Sequence, residues 1–236
     1  MRTSRRSSAC SAATQASSRG HSTQPLRGAS GHPGRAPRVC YLTPPCGYTA
    51  SAMLTDTIIN VLGALAVLSQ VFVVVAGGWW LCALLIRPCR TSFDRFAASL
   101  SDAAMPIALV IATTATAGSL YFSEVANYTP CLFCWYQRIA MYPLVVILAI
   151  GLIRRDRDAR LYAMPLAAIG LALAVYHVQL QLFPDQSAIE CDLDAPCTAQ
   201  WVDALGYLSI PGLAGTAFAA ILMLLGMSWW ADRRAS

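Results

Sequence analysis

The stretch TPCLFCWYQRIAMYPLVVILAIGLIRR, residues 129–155, sets two cysteines three apart and an arginine four residues after the second. An uncharged run, 139–153, follows before the next cation. At about 1.5 Å per residue that run reaches only about 22 Å, too short for a hydrocarbon core about 30 Å thick. A crossing helix has to take in Trp135 to Arg138 as well. Arg138 is thereby drawn below the interface, where a cation is costly and needs a reason.

Composition says that the run does cross. Hydrophobic residues make up 56% of the chain and charged ones 12%, with a mean hydropathy of +0.51, well outside the range of ordinary globular domains. Uncharged runs at 57–86, 103–123, 139–153, 161–184 and 204–231 predict five spans. The fold class expected is an all-α integral membrane protein: a four-helix transmembrane bundle over 101–236, with one additional N-terminal transmembrane helix and a cytoplasmic linker over 53–100. The first run would measure about 45 Å as one helix, so it is expected to tilt or to break near Gly77 and Gly78. Cys82 within it reads as a small packing residue, and Cys89, beside Pro88, as a reduced thiol without a role.

Arginine sets the orientation, because all 17 basic residues are Arg. Arg87, Arg90 and Arg95, then Arg154, Arg155, Arg157 and Arg160, then Arg233 and Arg234, mark the cytoplasmic side. The connections 123–135 and 185–203 carry no basic residue, and the second holds Asp185, Glu190, Asp192, Asp194 and Asp203. Both loops are expected outside a plasma or inner membrane. They hold Cys131 and Cys134, and Cys191 and Cys197, in a compartment where disulfides persist. Residues 1–52 read as a disordered Arg/Ser-rich tail with seven arginines and no acid, which would lie on the wrong side of the first span. Translation from Met53 removes the conflict, and a targeting segment is the alternative. Cys10, Cys40 and Cys46 in this tail receive no role.

The chemistry rests on the four loop cysteines. A CxxC pair can close a small, reducible disulfide, and a nearby cation favours the thiolate. In a helix beginning near Cys131, Cys134 and Arg138 share a face. Alone, CxxC is equally a structural staple or half of a zinc site with Cys191 and Cys197. Two dithiol pairs on one side of the membrane, in separate loops, are what a thiol-exchange relay requires. Zinc is less favoured, since the second pair is spaced by five residues and no loop histidine supports it. No metal is expected. The chain has no nucleotide motif, so electrons from a relay must go to something the membrane supplies, and quinone (ubiquinone or menaquinone) is the expected acceptor. Arg138 and, on another helix at comparable depth, His177 are the expected quinone contacts.

PCLFCWYQR, YHVQLQLFP, CDLDAPC in the acidic loop and LGYLSIPGLAGTAFAAILML together resemble the DsbB/BdbC family of quinone-linked disulfide-forming membrane proteins, over roughly residues 101–230. The resemblance implies a four-helix bundle in which Cys131 and Cys134 pass electrons to quinone. It implies that Cys191 and Cys197 take them from a DsbA-like thioredoxin-fold partner, with the mixed disulfide on Cys191. The five-residue gap to Cys197 is closer to the BdbC branch. No nucleic acid is expected as a partner, and the helix at 57–86 lies outside the family pattern. Two other readings stay open: a non-enzymatic membrane protein with stapled loops, and a four-cysteine metal-binding module. Finally, Trp201, Val202, Leu205 and Leu208 form an apolar stripe at helical spacing, which predicts a short surface helix over 201–208 or a plain extension of the last span.

Overall fold

The structure, a computed structural model, describes residues 50–186, 191 and 195–235. The basic tail with its three cysteines, and Glu190, Asp192 and Asp194 of the acidic loop, lie outside the described residues. Five helices follow in order: α1 (Ala50–Leu85), α2 (Arg87–Leu120), α3 (Leu132–Arg154), α4 (Ala159–Leu182) and α5 (Ile210–Ala235). A π-helical turn (Tyr121–Val125) prolongs α2, and a 3-10 turn (Pro184–Gln186) follows α4. All five helices are long and apolar enough to cross a membrane. The protein is therefore an all-α membrane protein. Its outer surface suits lipid: Val74, Ile153 and Tyr162 are 72%, 82% and 69% exposed. In water such apolar exposure would be a liability.

Lipid is as apolar as leucine, so helices in it associate through close packing and internal polar bonds. The sequence supplies small residues where the helices meet. Ala104, Ala108 and Ala112 on α2 and Ala163, Ala167 and Ala174 on α4 are fully buried in one core with Leu144, Leu148, Phe218 and Ile221. Gly170 completes the α4 row, and a Cβ there would come within 2.3 Å of the Phe218 ring. At the Arg-rich end, Arg157 pairs with Asp102 and Asp232, while Arg160 reaches Asp232 at 2.8 Å and donates to Ser228 Oγ at 3.0 Å. That cluster ties α2, α4 and α5 together at the end opposite the paired loop cysteines.

Two expectations are corrected, those for Cys82 and Cys89 and for residues 201–208. The first helix, expected to tilt or to break near Gly77 and Gly78, runs unbroken to Leu85, and the chain reverses at Ile86, where the backbone is extended just ahead of Pro88. That elbow brings Cys82 and Cys89 to a Cα separation of 5.9 Å and bonds them, so neither is a bystander thiol. The linker up to residue 100 is itself the first part of α2. Residues 201–208 form neither a surface helix nor an extension of α5. They make a tight turn closed by Ala204 N–H donating to the Leu208 carbonyl at 2.8 Å and Leu208 N–H returning to Ala204 at 3.0 Å. Leu205 and Gly206 at its tip have φ of 58° and 80°, which no helix allows. Val202, Ala204 and Leu208 are buried beneath it against Ala66 and Phe122.

The close seat of Phe218 on Gly170 gives a stability test. Gly170→Leu should overpack the α4–α5 contact and cost about 1–3 kcal/mol. In contrast, Ile169→Ala, at a residue 56% exposed, should leave thermal unfolding in detergent nearly unchanged. Equal melting temperatures for the Gly170→Leu variant and the parent would reject the packing described.

Candidate redox site

Cys131 is the residue just before α3, with an extended backbone (φ −74°, ψ 174°), and Cys134 lies in the first turn. Their sulfurs are 3.2 Å apart as free thiols. The other loop pair, Cys191 and Cys197, is joined as a disulfide. Phe133, Leu180 and Ala195 pack the two pairs into one buried cluster, in which Cys131 is 5% and Cys197 2% exposed while Cys191 is half-buried.

His177 links the pairs. Its Nδ1 lies 3.3 Å from the Gln137 amide nitrogen, and its Nε2 lies 3.1 Å from the Cys197 carbonyl and 3.5 Å from Cys131 Sγ. An amide nitrogen only donates and a carbonyl only accepts, so these partners assign the ring proton to Nε2. Nε2–H then faces both the Cys197 carbonyl and the Cys131 sulfur. The Cys131 thiol is drawn well below the usual thiol range, chiefly by the hydrogen bond from Cys134, with His177 adding to the effect and burial opposing it. A thiol at a helix N-terminus is also favoured as thiolate by the helix dipole.

Arg138 lies one helical turn beyond Cys134 and is only 9% exposed. Its Nε donates to Ser119 Oγ and its Nη2 to the Ser119 carbonyl, both at 3.0 Å, and its guanidinium lies 5.1 Å from the Trp135 ring centre. These contacts, from the last turn of α2 and from its own helix, are what a cation at this depth requires. Beside it opens a cavity of about 640 Å³, within the usual range for ligand sites. Cys134, Gln137 and Arg138 lie at one end, and mostly apolar side chains of α1, α2, α3 and α5 line the rest.

The six residues singled out from sequence are therefore grouped, but not as one contact set. Cys134 and Arg138 line the cavity; Cys131 and His177 do not, and sit on the side of Cys191 and Cys197. His177 is placed against cysteines rather than at the cavity expected for it. Gln137, which sets the His177 tautomer, and Ser119, which anchors Arg138, were not singled out. The spacing signal for Gln137 was present, six residues after Cys131 at the start of a helix, but nothing marked its partner. The lining fits a quinone: Cys134, Gln137 and Arg138 gather hydrogen-bond donors at one end, and the rest is mostly apolar, with the hydroxyls of Ser69, Thr114, Tyr142 and Thr216 among it.

Paired cysteines at one end of a helical membrane bundle define a thiol–disulfide redox protein. Residues 101–229 match the family model described as disulfide bond formation protein DsbB, and the chain belongs to the DsbB family. It is 46% identical over 119 residues to the probable disulfide formation protein C 2 of Bacillus anthracis, covering 50% of this chain and 85% of that one. It is 42% identical over 117 residues to disulfide bond formation protein C of Bacillus subtilis (strain 168), covering 49% and 85%. A probable disulfide formation protein C from Halalkalibacterium halodurans shares 46% over 114 residues, covering 48% and 82%. No solved structure matches. The protein is thus a membrane oxidoreductase of disulfide bond formation.

The Cys131 environment predicts a pH profile for the reduced protein. Its folded pKa is depressed, so the thiolate should persist well below the pH of about 8.5 at which an ordinary thiol protonates. The stability this thiolate contributes is fully present above the unfolded value and is lost as pH falls through the folded one. Thiolate absorbance should stay low-titrating in Cys134→Ser, which keeps a donor, and move up by at least about two pH units in Cys134→Ala. Identical titrations for the two variants would reject the Cys134 hydrogen bond as the cause.

Proposed function

We propose that this protein reoxidises a DsbA-like thioredoxin-fold protein on the extracytoplasmic side and delivers the electrons to membrane quinone. One observation carries the reading: Cys134 faces the cavity with Arg138, while Cys131 faces the second cysteine pair through His177. The CxxC thus has an acceptor side and a donor side.

The chain's residues divide the work accordingly. Cys191 is the accessible sulfur of its pair, Cys197 being buried, so a partner thiolate attacks Cys191 and expels Cys197 as thiolate. The partner's second thiol then resolves the mixed disulfide, leaving the partner oxidised and Cys191 and Cys197 reduced. Cys197 attacks the oxidised CxxC at Cys131, with Nε2–H of His177 steadying the developing negative charge on sulfur, and Cys134 leaves toward the cavity. Cys191 then displaces Cys131, restoring the Cys191–Cys197 disulfide and leaving a CxxC dithiol. A quinone held by Arg138 and Gln137 would take up the two electrons and two protons that regenerate the CxxC disulfide. Arg138 stabilises negative charge at that end of the cavity, and the apolar walls exclude water from it. The arginines at the other end of the bundle support the extracytoplasmic placement of both pairs through the positive-inside tendency.

Cys131, Cys134 and His177 also bring three potential metal donors within 4.8 Å of one another. With Cys191 and Cys197 bonded to each other, a four-thiolate site is not assembled in this state. Metal content of the purified protein tests that alternative.

Two outcomes follow from the relay. A partner lacking its second, resolving thiol should accumulate as a covalent adduct with the parent protein, and Cys191→Ala should abolish that adduct; an adduct that survives Cys191→Ala and disappears with Cys131→Ala would reverse the proposed order. Arg138→Lys keeps the charge without the planar fork of donors. It should raise the apparent KM for quinone about tenfold or more with little change in thiol exchange, and an unchanged quinone dependence would remove Arg138 from the site.

A further inference from the structure

The family match begins at residue 101, so α1, which ends at Leu85, stands outside it. Nevertheless α1 packs along α2 and α5 and forms a wall of the cavity through Leu62, Leu65, Ala66, Leu68, Ser69 and Phe72. The cavity is long. Its α2 lining runs from Phe96 to Ser119, about 35 Å of helix rise and more than the thickness of a hydrocarbon core. Its charged and thiol groups, Arg138 and Cys134, are at one end only. An elongated apolar channel with its redox group at one mouth matches a polar head carrying a long hydrocarbon tail.

The seat of α1 is specific. Gln70 donates to Thr216 Oγ1 of α5 at 3.2 Å and accepts from Tyr207 O–H at 2.8 Å, and a Cβ on Gly118 of α2 would meet Leu62 at 3.0 Å. Polar bonds between helices and small residues at the contact are how membrane helices fix their positions. Leu65 and Leu68, 45% and 68% exposed, present aliphatic surface between these anchor points.

We propose that α1 is the wall that receives the isoprenoid tail of the quinone and makes the site selective for long-tailed acceptors, an inference that rests on the quinone reading above. The ring would be held by the chain's family-typical helices and the tail by the added one. Removing aliphatic space from α1 should therefore weaken long-tailed quinones and spare short-tailed ones.

The test uses the full chain in lipid nanodiscs with two photoreactive quinones, one labelled on the ring and one at the far end of a polyprenyl tail. Peptide mapping should place the ring label within residues 128–142 and the tail label within 62–72, with both displaced by excess unlabelled quinone. A ring label at 128–142 with a tail label absent from α1 overturns the α1 assignment and leaves the quinone reading standing. A ring label elsewhere overturns the reading itself. Independently, Leu65→Trp and Ser69→Trp should lower retained long-tailed quinone at least fivefold while binding of a single-isoprene quinone stays within twofold, which also shows that the variants are folded. Undiminished long-tail retention, or phospholipid that quinone does not displace from the channel, would overturn the assignment.

Discussion

A guanidinium buried within a helix long and apolar enough to span a membrane is the constraint on which the active end of this molecule turns. Arg138 cannot be left without partners at that depth, so the end of α2 has to supply Ser119 to it and α3 has to carry Trp135 one turn before it. These contacts lock α2 to α3 next to the CxxC. They also aim the cation at the cavity into which Cys134 opens. A bundle held only by alanine and glycine contacts would have no reason to order this end so strictly.

The second organising feature is the division of the CxxC between two environments. Cys131 lies in a buried cluster with the other disulfide, and its neighbour three residues on lines an apolar channel. His177 occupies the boundary. Its Nδ1 is satisfied by Gln137, which leaves Nε2–H for the Cys197 carbonyl and the Cys131 sulfur. An imidazole oriented in this way can donate to a thiolate at Cys131 while Gln137 holds its other nitrogen.

Much of this was legible in the sequence because hydrocarbon thickness is a strict ruler. Charge spacing locates all five helices, and the short run after Arg138 requires its helix to take in that residue, which the structure buries. The second cysteine pair and its five-residue gap carried the family. What spacing does not encode was missed. The stripe through Trp201, Val202, Leu205 and Leu208 suits a helix, but the Leu205–Gly206 backbone takes left-handed φ, and a turn buries Val202 and Leu208 while leaving Trp201 and Leu205 exposed. Cys82 and Cys89 look unrelated until the chain reverses at Ile86. Depth along a helix says nothing of azimuth, and the His177 ring points to the cysteines. The participation of α1 in the cavity is a tertiary fact with no local signature.

The central claim is that the CxxC connects a dithiol donor on one side to a quinone acceptor on the other. Its most direct test is anaerobic turnover of the purified full chain with a reduced thioredoxin-fold protein and quinone, following donor disulfide and quinol together. The account predicts multiple turnovers with one quinone reduced for each donor disulfide formed. Oxidation of the donor that stops after the protein's own disulfide is consumed, with no quinol produced, would contradict it.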